Sequence, residues 1–165
     1  MAMVTAALLC AACDAHFDVP DTAIRPGHVL CTDGTVMSYA AYEQSDKRAI
    51  AVLFDAGQRE DAEGYGYAVY LWDIEPLAFA DSLGVDQGTS ADLTAYDGNA
   101  NTFKLYEAKE TASPMAEAVF DMWMYKQSAF VPSVAEMRVL YDNLEKVNPV
   151  IERCGGQPLP VDGEN

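Results

Sequence analysis

Two histidines, four cysteines and 26 carboxylates give this 165-residue chain its reactive side chains. Their spacing decides what chemistry they could do. His16 and His28 lie in no nucleophile motif, and the chain has no G-x-S-x-G. It also lacks H-E-x-x-H, Walker A and G-x-G-x-x-G patterns. Gly64-Tyr65-Gly66-Tyr67 is not followed by a helix start, so it reads as a strand entry rather than a phosphate loop. Linear spacing alone picks no glycosidase pair from the carboxylates. One oxygen-rich stretch comes nearer to a metal site. Asp97-Gly98-Asn99-Ala100-Asn101 sets side-chain oxygens at the i, i+2, i+4 positions of a calcium loop. The match fails at Thr102, where the loop needs Gly, and at Ala108, where it needs a bidentate Glu. An Asx-rich turn, with Asp97, Asn101 and Thr102 as structural residues, fits better. The expectation is therefore a non-enzyme with no metal and no cofactor.

The cysteines offer different chemistry. Residues 1–12, MAMVTAALLCAA, are uncharged and apolar, with the length of a secretory h-region. Cys13 follows small residues, as the lipidated cysteine does in a bacterial lipobox, although Cys10 stands where Leu, Val or Ile is usual. The polar DAHFDVPDT behind it suits a tether. The expected organisation is thus a signal and lipobox over 1–13, a tether over 14–26, a domain over 27–160 and a tail over 161–165. The same run would also suit a buried helix, but it has no cap residue and no polar face. The chain is then an exported lipoprotein at a bacterial outer surface or in the periplasm, or alternatively a secreted protein. Cys31 and Cys154 remain. They could form a disulfide in an oxidising compartment or stay as free buried thiols, and sequence separation does not choose.

The elements that hold these residues come next. Half of the residues are hydrophobic, enough for a core, and no apolar run approaches the ~20 residues of a membrane span. A formal charge of −16 disfavours nucleic acid and anionic membrane, leaving a lipid anchor as the membrane contact. HVLCT-DG-TVMSY (28–39) reads as a hairpin on a two-residue type I′ turn. AIAVLFDAG (49–57) reads as a strand buried on both faces, 57–64 as a charged loop, and GYGYAVYLWD (64–73) as another strand. Tyr65, Tyr67, Tyr70 and Trp72 could stack on sugars, or could be half-buried strand residues. One helical turn is expected within 74–84, a long loop over 86–101 and a brief strand over 103–108. Ser113-Pro114 opens a helix over about 114–125, with Met115, Val119, Met122 and Trp123 near one face. Ser133 and Glu136 form a capping box for a helix over 134–147, and Asn148-Pro149 caps a short third helix. Strands followed by helices indicate an α+β fold.

Several of these stretches resemble the domain-of-unknown-function family 1566. Phe130–Leu159, with Pro132, Ser133 and Glu136 on P-S-x-x-E and Leu140-Tyr141 behind, resembles that family's W-Y/R-L-P-S-x-x-E-L stretch. Asp97-Gly98-x-x-Asn101-Thr102 is similar to its D-G-x-x-N-T lead-in to a helix. Gly27–Val36 and Ala49–Phe54 are similar to its opening strands. The resemblance implies a C-type-lectin-like α+β fold over roughly 27–160, of a kind common in surface lipoproteins of gut bacteria. It also implies closing strands beyond Asn165, so the expectation is either an abbreviated domain or a fragment of a longer one. The function so implied is a cell-surface or secreted binding or adhesion module, with a glycan or a surface protein as ligand. The alternative is a structural or assembly subunit of a surface appendage or phage particle, completed by strands from a partner chain.

Overall fold

The computed structural model describes residues 21–57, 66–82, 84–122 and 129–161. The expected lipobox at Cys13, His16, Tyr65, Trp123 and most of the charged loop lie outside these residues.

Four antiparallel strands form one sheet in the order β2-β1-β3-β4. They are β1 (Val29–Cys31), β2 (Val36–Met37), β3 (Ala49–Asp55) and β4 (Tyr67–Tyr70). The α+β reading therefore holds. β3 is apolar throughout and buried from Ala49 to Phe54, as its sequence predicts. Its central side chains each contribute roughly 1.5–3 kcal/mol by leaving water. The hairpin forms, but on a different turn. Gly34 N–H donates to the Cys31 carbonyl, and Cys31 N–H to that of Thr35. Three residues are thus looped out, with Gly34 at φ 82°, where a type I′ turn would loop out two. Asp33 fixes this loop. Its carboxylate accepts from the Thr35 hydroxyl at 2.6 Å and also takes the Lys47 ammonium, which holds its pKa well below the usual carboxylate range.

Five helices occur among the described residues: α1 (Tyr39–Glu43), α2 (Gly98–Glu107), α3 (Pro114–Asp121), α4 (Val134–Asp142) and α5 (Leu144–Arg153). α4 and α5 pack on β3, and α2 packs on α3. The core lies between sheet and helices, where Val29, Val52 and Phe54 meet Leu140, Leu144, Val147 and Ile151. Residues 21–26 already belong to this body: the Asp21 carbonyl accepts from Ser38 N–H, and Gly27 N–H donates to Leu53.

Several expectations are corrected. The helical turn within 74–84 does not form; that stretch is irregular where described, and Asp81 N–H and Met115 N–H tie it to the start of α3 through the carbonyls of Ala112 and Ala78. The expected loop over 86–101 holds as far as residue 97, but its last residues and the expected strand over 103–108 give way to α2, which begins at Gly98. The described helix over 114–121 is followed by its C-cap, Met122. The expected helix over 134–147 breaks at Asn143, whose side chain donates to the Val139 carbonyl. Asn148-Pro149 does not start a new helix. Pro149 sits inside α5, while Asn148 turns its amide to the backbone of Leu159, donating at 2.7 Å and accepting at 3.0 Å.

Candidate functional site

The two motif stretches singled out in the sequence meet in space. Ser133 caps α4: its hydroxyl accepts from Glu136 N–H at 3.3 Å and donates to the Ala95 carbonyl at 2.8 Å. Glu136 completes the capping box, accepting from Ser133 N–H at 2.6 Å. Its carboxylate also accepts from the Gly98 amide, at the first residue of α2. One carboxylate thus satisfies the N-termini of two helices, where both macrodipoles favour negative charge. Glu136 is 1% exposed, and burial pushes its carboxyl up despite these amides. Thr102 makes the second tie. Its buried hydroxyl donates to the Gly98 carbonyl at 2.7 Å and accepts from Val131 N–H at 2.9 Å. Gly98 leaves no room for a side chain: a Cβ there would meet the Glu136 carboxylate and stand 2.6 Å from the Val131 carbonyl oxygen.

The expected turn at Asp97, Asn101 and Thr102 is therefore the start of a helix. Asp97 occupies the N-cap without a side-chain cap bond. Asn101 accepts from Ser90 N–H at 2.9 Å. Of the calcium-like residues, Asn99 and Asn101 are wound into α2 and Asp97 stands at its N-cap. Pro132 is exposed and leads into α4. These residues organise the fold, and two of them, Pro132 and Glu136, also line a cavity.

A cavity of about 420 Å³ opens between the outer edge of β4 and helices α3 and α4. Its lining includes an unbroken run from Ala68 to Ile74. Alternate strand residues point to opposite faces, so an unbroken run borders a strand's edge rather than one face. The hydrogen bonds agree. Leu71 N–H donates to the Ile50 carbonyl, and Tyr70 pairs with Ala51 and Val69 with Val52. Val69 and the Leu71 N–H therefore face β3, while Ala68 and Tyr70 turn their backbone groups outward. Among the described residues no strand covers that edge. Met115, Val119 and Met122 wall the opposite side, so the expected shared face of α3 is real for these three. Phe130, Met137 and Leu140 form the floor. Trp72 is 44% exposed at the rim, 5.2 Å from the Tyr70 ring, and Ile74, Leu77 and Phe79 continue an exposed apolar margin. Tyr67, by contrast, is buried between Phe54 and Phe130.

His28 sits just before β1. Its Nε2 lies 3.9 Å from Asp21, and its Nδ1 is buried without a hydrogen-bond partner among the described residues. Cys31 and Cys154 are both free thiols, the first buried and the second half-buried. Among the described residues no three His, Cys, Asp or Glu side chains gather as a metal site, and no helix is long and apolar enough to cross a membrane. Sequence reasoning missed the cavity because Met115, Phe130 and Trp72 come from three separate stretches. The run of Val, Tyr, Leu and Trp over 69–72 was its one available signal.

The chain matches no known family model, no curated protein and no solved structure.

Proposed function

We propose that this chain is a non-catalytic binding module whose ligand is an extended polypeptide segment added to the open edge of β4. The outward N–H and C=O groups of Ala68 and Tyr70, bordering an apolar cavity, carry the reading. A strand laid there gains main-chain hydrogen bonds, and alternate apolar side chains enter the cavity. The lining favours such a segment over a sugar. It is dominated by aliphatic, aromatic and methionine side chains, whereas a glycan needs many polar partners. The charge of −16 favours a segment carrying Lys or Arg. In this reading the module is exported on a lipid anchor at Cys13, and its fold is a variant of the C-type-lectin-like domain. The meeting of the D-G-x-x-N-T and P-S-x-x-E stretches around Glu136 supports that kinship. The strand donor would be a partner subunit or another surface protein.

A glycan is the second reading. The exposed ring of Trp72 beside Tyr70 favours it, since such faces stack on sugars.

Selection of displayed linear peptides on the immobilised full-length chain tests the proposal. Enriched peptides should alternate apolar residues and carry basic ones. Ala68→Pro should weaken their binding at least tenfold, because it removes an outward N–H while leaving the β3 ladder intact. No enrichment, or binding unaffected by Ala68→Pro, would overturn the proposal. Saturable binding on a neutral glycan panel, lost in Trp72→Ala, would establish the second reading instead.

A further inference from the structure

Cys31 and Cys154 lie 123 positions apart in sequence, yet the fold carries them to the same level of the core. The contact between Gly27 and Lys146 sets the alignment: a Cβ on Gly27 would stand 3.1 Å from the Lys146 carbonyl oxygen. From Gly27 the chain climbs through β1 to Cys31, at most about 13 Å given the irregular pairing between Leu30 and Cys31. From Lys146, α5 climbs to Cys154, about 12 Å. The two climbs share a direction. Gly27 bonds to Leu53, near the end of β3, and Cys31 pairs with Ala49 at its start. Beyond α5, Gly156 comes up against the carbonyl of Leu71, the residue after β4 whose N–H bonds to Ile50. Both thiols also point into the core. Cys31 is fully buried in the cluster with Val147 and Ile151. Cys154 lies three, four and seven residues after Ile151, Val150 and Val147, on the same helical stripe, and packs against that cluster.

We propose that Cys31 and Cys154 are a latent disulfide pair, closed by exchange with a small-molecule disulfide. The proposal is independent of the binding function. The half-buried Cys154 reacts first: its thiolate attacks one sulfur of the oxidant and expels a thiolate. The Cys31 thiolate then attacks the Cys154 sulfur of the mixed disulfide and expels the second. Two protein thiols are oxidised, one external disulfide is reduced, and the two protons end on the two released thiols. The bond would tie the end of α5 to β1. Desolvation, with Cys31 beside it, pushes the Cys154 thiol up to about 11, so closure is slow at neutral pH.

The test uses the full-length chain with Cys10→Ser and Cys13→Ser, equilibrated with oxidised glutathione. The expected product is a monomer lighter by two hydrogens, with no thiol to alkylate after denaturation. Its urea midpoint should be higher and should return to the starting value on reduction. Adding Cys31→Ser should instead leave a glutathione adduct on Cys154. In the wild-type chain, non-reducing peptide mapping should find the Cys31 and Cys154 peptides joined, which covers the case of a misfolded double variant. Persistent free thiols, a stable glutathione adduct on the two-thiol chain, only intermolecular dimers, or a lowered urea midpoint would each overturn the pairing.

Discussion

Glu136 does more than its position in a capping box requires. The box alone would have it accept from Ser133 N–H, but the fold adds the Gly98 amide. Glu136→Ala should therefore leave two buried donors without an acceptor, at roughly 1–3 kcal/mol each. Ser133→Ala should cost about 1 kcal/mol, the usual value of a cap. Urea unfolding of the two variants checks this order, and equal losses would show that the Gly98 contact contributes nothing. A second residue-scale expectation concerns alkaline pH. Cys154 has its ordinary thiol value of about 9 raised to about 11 in the fold, chiefly by burial, with Cys31 adding to it. A raised value means that the folded state holds the proton more tightly. The resulting stability is complete below pH ~9 and is lost as pH rises towards ~11. Tyr39 of α1 and Arg153 also neighbour this thiol and are common to wild type and variant. Under reducing conditions, Cys154→Ala should flatten the fall in stability across that window.

At the scale of elements, legibility followed whether a signal was local. The caps at Ser113 and Ser133 were readable because a side chain and the amide it binds lie three residues apart. β3 was readable because an apolar run bounded by turns has few alternatives. α2 was not. Its residues are rich in Asn and Gly, its N-cap makes no side-chain bond, and its apolar pattern is weak. What holds it comes from elsewhere: Val131 and Glu136 anchor its first turns, and Phe120 of α3 stacks on Tyr106 at 3.9 Å. A peptide of residues 97–108 should accordingly show little helicity by circular dichroism, since short helices without packing are marginal. Substantial helicity would contradict this account. Asn148-Pro149 misled for a related reason. The pair has the form of a helix start, but Asn148 is occupied with Leu159 and α5 runs through. The cavity was the least legible feature, because an open edge belongs to a sheet's pairing order and not to any one segment.

At the scale of the whole molecule, an acidic body presents, among the described residues, a β4 edge that no strand covers, beside an apolar cavity. If its partner is basic, raising the salt concentration should weaken the complex, mostly through slower association. An affinity independent of salt would point to a neutral ligand. Export on a lipid is a separate property. Labelled fatty acid should enter the wild-type chain and not Cys13→Ser, and equal labelling would remove the anchor. The open edge can be tested before any ligand is known, by residue-resolved amide hydrogen exchange across β4. Val69 and Leu71, whose amides face β3, should be protected, while those of Ala68 and Tyr70 should exchange much faster. Comparable protection at all four positions would mean that the edge is already covered, and would contradict the proposed strand-receiving function.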